Sequence, residues 1–368
     1  MTDREYMQRA LSLAKRGCGW VAPNPMVGAV IVKDGEMIGE GYHEVYGQAH
    51  AERNALAACR KSPKGATMYV TLEPCCHHGK QPPCVEAILE AGISKVVIGS
   101  SDPNPLVAGK GVQILREHGV EVIEQVLQEE CDEINQIFFH YIQTGQPFVT
   151  MKYAMTLDGK IATHTGASKW ITGEKARQYV QKQRHKHTGI MVGVGTVLAD
   201  DPMLNCRLKG GKNPLRIICD TNLRTPLTAR IVTTARDIPT IIATCQKEEN
   251  TYHPYLEAGC RILTVEKRDE RVDLRELMEK LGKEKIDSIL LEGGGTLNWS
   301  ALESGIVNRI QVYIAPKLFG GTEAKTPIEG KGVAFPNEAV KLTGSRIISL
   351  GDDFLIESEV EGNVYGNC

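Results

Sequence analysis

Three short stretches of the chain carry the residue types of a reactive metal centre: His50-Ala51-Glu52, Thr71-Leu72-Glu73-Pro74-Cys75, and Cys84. One imidazole and two thiolates occupy three corners of a tetrahedral Zn²⁺ and leave the fourth to solvent, which separates a catalytic zinc from a structural one. A water in that corner is acidified toward a pKa of ~7. Glu52, two residues after the first ligand, is placed to take its proton and hand it to a departing amine. The chemistry this spacing describes is hydrolytic deamination of an amino-heterocycle.

Eight residues, 76–83, separate the two thiols, and Cys76 among them competes as a ligand. Cys84 is favoured because Pro82-Pro83-Cys84 opens a helical run over 85–91, and a thiol at a helix N-terminus is held as thiolate. His50 likewise opens a helix over 51–59. Plainer readings stand beside this one. The His and cysteines would serve as buried core, Cys76 or His77 would close a structural zinc, and Glu52 would be a solvated helix charge. The ordered combination favours the catalytic reading.

Length and composition bound what surrounds the centre. A chain of 368 residues is too long for one ordinary core, and 42% hydrophobic content supplies two. Net charge is −2 with both signs scattered, unlike a basic nucleic-acid footprint. Eleven cysteines, an odd number, with no secretory start, argue against a disulfide framework and for a reducing cytoplasm. No apolar run approaches the ~18 residues that span a membrane.

The elements that must position these residues alternate in an α/β pattern. A helix over 6–16 precedes a hairpin over 27–41 that turns at Asp34-Gly35. The His50 helix, a strand over 66–72 that delivers Cys75, and the Cys84 helix follow. A strand (95–99), helix (111–117), strand (120–124) and helix (131–144) complete the unit, with helices expected on both faces of a central sheet. The turn-rich stretch 144–147 sets the boundary, giving expected domains 1–146 and 147–368.

After that boundary the pattern restarts with a strand over 147–155. A buried strand runs into Gly193-Val194-Gly195-Thr196, and a second, over 289–291, meets Gly293-Gly294-Gly295 before a helix. Glycines at such junctions allow close backbone approach, and the helix N-terminus offers N–H groups to a pyrophosphate. Neither loop is a complete Gly-x-Gly-x-x-Gly, and tight turns without a ligand explain such glycines equally. Strands over 215–220, 240–244 and 261–265 lie between them. Asp220 at a strand end would favour NAD through a ribose hydroxyl, whereas Asn222 and Arg224 would accept the 2′-phosphate of NADPH. The run 309–314 reads either as a sheet edge pairing between subunits, making a homo-oligomer, or as an interior strand. The tail 362–368 carries a thiol, Cys368, with no assigned role.

The long thiol spacing resembles the deaminase half of the riboflavin-biosynthesis deaminase/reductase family, within the cytidine deaminase-like superfamily. The second half is similar to that family's dihydrofolate-reductase-like α/β reductase in residues 152–160, 193–196 with Asp200-Asp201-Pro202, and 292–295. The match runs along nearly the whole chain. It implies deamination of 2,5-diamino-6-ribosylamino-pyrimidinone 5′-phosphate, then reduction of ribosyl to ribityl with NADPH. By this resemblance His50, Cys75 and Cys84 match the zinc ligands and Glu52 the proton shuttle. Asn24, His43, His77, Lys80, Asp102 and Asn104 match deaminase substrate contacts. In the second half Ala154, Trp170, Thr196, Asp200, Asn222, Gly294 and Gly295 match cofactor contacts. Lys152, Ser168, Arg184, Leu204, Arg207 and Glu292 match the reductase substrate side. Arg184 and Arg207 would grip a phosphate bidentately, and Lys152 and Glu292 would steer protons. As surface chemistry alone, Arg184 would be one more solvated cation, and His43 and His77 plain polar groups.

Two other classes compete. A nucleic-acid deaminase predicts a basic, aromatic channel for stacked bases, against 5% aromatic content and near-neutral charge. A zinc-stabilised nucleotide sensor leaves Glu52 without a task.

Overall fold

The computed structural model describes residues 1–362, so Cys368 lies outside the described residues. The chain divides into two compact units, Met1–Gly145 and Gln146–Cys368. In the first, α1 (Asp3–Ala14) is followed by β1 (Gly28–Lys33), β2 (Glu36–Tyr42), α2 (Ala51–Ala57), β3 (Thr67–Leu72) and α3 (Cys84–Glu90). Then come β4 (Lys95–Ser100), α4 (Lys110–Glu117), β5 (Glu121–Ile123) and α5 (Gln128–Thr144). Helix α1 starts before the sequence expectation because Thr2 and Glu5 form a reciprocal capping box. The β1–β2 turn uses Asp34 and Gly35 at φ 50° and 77°, the left-handed pair that a two-residue hairpin requires.

The strand order is β2-β1-β3-β4-β5, antiparallel around β1 and parallel from β3 onward. Alternation along each strand explains the two covered faces. Tyr69, Val97 and Val30 pack with Met7 and Leu11 of α1, while Met68, Val70, Val96 and Ile98 pack with Val85 and Ile88 of α3 and Ala55 of α2. The parallel β3–β4 pair puts the end of β3, and so the Glu73-Pro74-Cys75 turn, beside the loop that follows β4.

The second unit comprises β6 (Phe148–Thr156), α6 (Glu174–Lys186), β7 (Gly189–Gly193), α7 (Val194–Asp200), β8 (Leu215–Cys219), α8 (Arg230–Thr233) and β9 (Thr240–Thr244). It continues with α9 (Glu249–Glu257), β10 (Arg261–Thr264), the ribbon β11 (Lys267–Arg268) and β12 (Arg271–Val272), and α10 (Leu274–Lys283). Strand β13 (Ser288–Leu291), α11 (Gly295–Glu303), β14 (Val307–Ala315), β15 (Leu342–Leu350) and β16 (Asp353–Val360) complete it. Its nine strands run β10-β9-β8-β7-β13-β6-β14-β16-β15. The first seven are parallel and covered on both faces, which is why they read as unbroken apolar runs. Strand β14 lies between β6 and β16, so the 309–314 run is interior and not an edge. From β7 the chain proceeds to β8 on one side, and from β13 past β6 to β14 on the other. The carboxyl ends of β7 and β13 therefore flank a topological switch point, the place where such sheets open a crevice.

Helix α6 was hidden in the sequence by its charge-rich composition. It ends at His187, a fully buried imidazole whose Nδ1 lies 2.8 Å from the Gln183 carbonyl and Nε2 2.9 Å from Thr150 Oγ1. A carbonyl only accepts, so Nδ1 carries the proton and Nε2 accepts from Thr150. Burial, helped by Lys186, pushes the His187 pKa down to about 3. The unfolded chain takes a proton near pH 6.5 while the folded unit refuses it, so stability present above that pH is lost as pH falls toward about 3. His187→Gln is expected to flatten the decline of the second unit's thermal midpoint across this window, measured by calorimetry as a function of pH.

Candidate active sites

The ligand atoms of His50, Cys75 and Cys84 lie within 4.8 Å of one another. His50 is the residue before α2, Cys75 follows β3, and Cys84 is the first residue of α3. His50 Nδ1 stands 3.4 Å from each sulfur. Zn–S and Zn–N bonds of about 2.3 and 2.0 Å at tetrahedral angles give an S···N edge of about 3.5 Å, so the donor set fits a zinc ion. Cys76 stands outside this group, its thiol 3.6 Å from the Leu106 carbonyl.

Electrostatics divide the two thiols. Cys75 is pulled down to about 4 because the Cys84 thiol hydrogen-bonds to it, His50 adds to the effect, and the Cys84 backbone N–H donates to its sulfur at 3.4 Å. Cys84 is pushed up by the same shared proton and by burial. The α3 N-terminus thus favours the Cys75 thiolate, a different assignment from the expected effect on Cys84, because the Cys84 N–H points back to Cys75, shared between its carbonyl at 3.0 Å and its sulfur at 3.4 Å. Arg53 holds the approach to α3 by donating to the Pro82 and Pro83 carbonyls at 3.3 and 2.9 Å. Glu52 is 3% exposed, and burial, reinforced by the Cys75 charge, raises its pKa.

A cavity of about 280 Å³ opens on this centre. Asn24, His43, His77, Lys80, Asp102 and Asn104 all line it, together with His50, Glu52 and Cys75. His43 is buried; its Nδ1 is 3.1 Å from the Ala49 carbonyl and must donate, leaving Nε2 to accept from Asn24 Nδ2 at 3.2 Å. Burial lowers its pKa, which keeps the ring neutral. His77 Nδ1 is buried without a partner, and Asp102 is raised to about 7, chiefly by burial. Tyr46 and Glu73, which the sequence did not single out, also line the cavity; Lys80 Nζ sits 4.0 Å from the centre of the Tyr46 ring. Only the fold brings that tyrosine under the lysine.

In the second unit a cavity of about 560 Å³ lies at the switch point, lined by Ser168, Thr196, Asp200, Asn222, Arg224, Gly294 and Gly295. Both glycine loops reach it, with a division of labour. A Cβ on Gly293 would meet Asn298 Oδ1 at 2.7 Å, and one on Gly295 would meet Glu329 Cγ at 2.6 Å, so these two glycines admit the protein's own atoms. Gly195 and Gly294 face open space. Gly294 precedes α11 and offers no side-chain cap, so the helix N–H groups remain for an anion. Asp220 is fully buried, and its Oδ2 accepts from Thr225 N and Oγ1 at 2.7 Å. It braces the turn and is not presented to a ribose, whereas Asn222 and Arg224 are on the cavity wall.

A separate polar cluster is built on Glu292, just past β13. Arg184 on α6 donates Nε and Nη2 to its two oxygens at 2.8 and 2.9 Å, and Nη1 to the Asn205 carbonyl at 2.9 Å. Lys152 Nζ is 3.8 Å from Glu292 Oε2. Burial would raise Glu292, yet Arg184 and Lys152 outweigh it and hold it at about 2; burial also lowers Lys152 despite Glu292. The expected phosphate fork of Arg184 is therefore occupied by a carboxylate, leaving Arg207, exposed on its loop, as the open guanidinium. Leu204 is 3% exposed and packs in the core with Ile190 and Val192. Trp170 is 61% exposed beneath Arg177, and neither it nor Ala154, packed near Tyr313, belongs to the cavity wall.

Similarity to known proteins follows the same division. Residues 147–356 match the family described as "RibD C-terminal domain", and residues 1–100 match the "Cytidine and deoxycytidylate deaminase zinc-binding region". The chain is 58% identical over 357 residues to a riboflavin biosynthesis protein RibD of Actinobacillus pleuropneumoniae, covering 97% of this chain and 95% of that one. It superposes on a RibD structure of Acinetobacter baumannii with TM-score 0.87 at 37% identity, covering 97% and 98% of the two chains. A Thermotoga maritima structure titled diaminohydroxyphosphoribosylaminopyrimidine deaminase/5-amino-6-(5-phosphoribosylamino)uracil reductase gives TM-score 0.86 at 40% identity with the same coverage.

Removing one member of a buried ion cluster leaves the others uncompensated. Glu292→Gln is expected to destabilise the second unit by about 3–5 kcal/mol, read as a lower urea midpoint of its unfolding transition.

Proposed function

Since the chain belongs to the RibD family, bifunctional riboflavin-biosynthesis enzymes with a zinc-dependent deaminase domain and an NADPH-dependent reductase domain, we propose how its residues divide the two reactions. Residues 1–146 deaminate 2,5-diamino-6-ribosylamino-4(3H)-pyrimidinone 5′-phosphate. Residues 147–368 reduce the ribosyl group of the product, giving 5-amino-6-ribitylaminouracil 5′-phosphate. The observation that carries this reading is the convergence of His50, Cys75 and Cys84 beside the buried Glu52 on a cavity of pyrimidine size.

In the deaminase, His50, Cys75 and Cys84 would hold zinc, which would supply Lewis-acid activation of a water. Glu52, with its raised pKa, holds a proton between the water and the leaving nitrogen and releases it to that nitrogen. Neutral His43, fixed by Ala49, orients Asn24, while Asp102 and Asn104 meet the ring and Lys80 and His77 the substrate's polar periphery. In the reductase, bound NADPH would supply the hydride that reduces C1′ of the opened sugar. Gly294 and Gly295 at the uncapped α11 N-terminus would hold its phosphates, and Thr196, Asp200 and Asn222 on the cavity wall would border it. Lys152 Nζ, with its lowered pKa and held in aim by Glu292, gives a proton to the ring oxygen as its bond to C1′ breaks and the sugar opens, while Arg207 and Ser168 receive the phosphorylated substrate.

Small phosphorylated pyrimidines are thus the partners, with no part for nucleic acid. Among the described residues no helix is long and apolar enough to cross a membrane. Zinc thiolates are compatible with the reducing cytoplasm. The exposed outer strand β15, with Ile347 70% exposed, is available to a second copy in a homo-oligomer.

Chelation is expected to abolish ammonia release while NADPH oxidation on pre-deaminated substrate continues. Glu52→Gln should lower deamination by on the order of 10²–10⁴ with zinc retained. Joint loss of both activities in either experiment would refute the assignment of the reactions to separate halves.

A further inference from the structure

Glu73 is a carboxylate buried to 4% exposure, two residues before Cys75, and among the described residues it forms no salt bridge. Its main-chain N–H is spent on the Ser100 carbonyl at 2.9 Å, extending the β3–β4 pairing. Its side chain turns across the loop after β4. Oε2 accepts from Gly109 N at 3.0 Å and Oε1 from Val112 N at 3.2 Å, with Asp102 N at the limit, 3.5 Å from Oε2. Gly109, the residue before α4, has φ 81° and no side chain to cap the helix, so Glu73 caps it from another strand.

The loop so gripped presents Asp102 and Asn104 to the deaminase cavity. Its internal bonds, Asn104 N to Asp102 Oδ1 at 2.8 Å and Leu106 N to Asn104 Oδ1 at 3.0 Å, fix its shape but not its distance from the metal-ligand turn. That distance depends on the Glu73 bonds and on a close approach: a Cβ on Gly111 would meet the Pro74 carbonyl at 2.3 Å and Glu73 Oε1 at 3.1 Å. Resting on the reading that this cavity binds the pyrimidine, we infer that Glu73 is a positioning residue for deamination. It ties the Cys75 turn to the 102–109 loop and the first turn of α4 so that Asp102 and Asn104 meet the ring while the zinc ligands meet its amino-bearing carbon.

The amide of Glu73→Gln keeps the shape but turns an N–H donor against a backbone N–H. Deamination by the zinc-loaded full chain is then expected to show KM raised roughly ten- to a hundredfold, the cost of lost hydrogen bonds to a charged group. Its kcat should change far less, zinc content should be retained, and NADPH oxidation on pre-deaminated substrate should be unaffected. Gly111→Ala, whose added methyl forces the same contact apart while the Glu73 carboxylate itself is kept, should give the same split. Combined with Asn104→Ala, Glu73→Gln should add little to the KM of Asn104→Ala alone. Zinc loss with a matching fall in kcat, an unchanged KM in both variants, or effects of Glu73→Gln and Asn104→Ala that multiply would each overturn the inference. Failure of the cavity reading itself is recognised separately, by Asn104→Ala alone leaving KM unaltered.

Discussion

Three electron-rich ligand atoms held within 4.8 Å need positive charge among them, and the first unit is organised around that need. Left to themselves, the thiols share a proton, with Cys75 favoured as the thiolate and Cys84 as the donor. A divalent ion satisfies the same demand for both at once. The three segments that bring the ligands together are not contiguous: Cys75 lies 25 positions after His50, and Cys84 nine positions after Cys75. They meet because α2, the turn after β3 and α3 are fixed by the packing of both helices on one face of the sheet. Glu52 acquires its raised pKa from the same burial, so one packing decision sets both the metal site and its acid–base partner.

The second unit answers charge differently. Its buried carboxylate, Glu292, is neutralised by two cations from two other elements, Arg184 on α6 and Lys152 on β6. Such a cluster is costly to desolvate and is maintained by complete pairing, which is why the Arg184 fork is not free for a phosphate. The positive potential left open lies instead in backbone dipoles at the switch point, where α11 begins with no side-chain cap.

Alternation and punctuation made much of the fold legible. The Asp34-Gly35 turn, the apolar runs of the parallel strands and the order of strands and helices in the first unit all stand close to where local pattern puts them. Legibility failed where the signal is not local. Helix α6 is so charged that it reads as a solvated stretch, yet Ala176, Val180 and His187 are buried, because a helix needs only one apolar stripe. The edge or interior character of β14 depends on partners in β16, from Glu359 opposite Arg309 to Phe354 opposite Ile314, information that no window on 309–314 contains.

The chain's residue types and spacing settled, by themselves, that an imidazole, two thiols and a carboxylate would be available at helix starts and a strand end, and that glycines would mark strand-to-helix turns. Those are properties of short segments, governed by capping and periodicity. Which thiol carries the charge, that Asp220 braces a turn instead of facing a ribose, that Arg184 is consumed by Glu292, and that Glu73 reaches another strand's loop were decided only by tertiary structure. Each depends on which groups are deprived of water together, and burial is a property of the packed molecule and not of any segment in it.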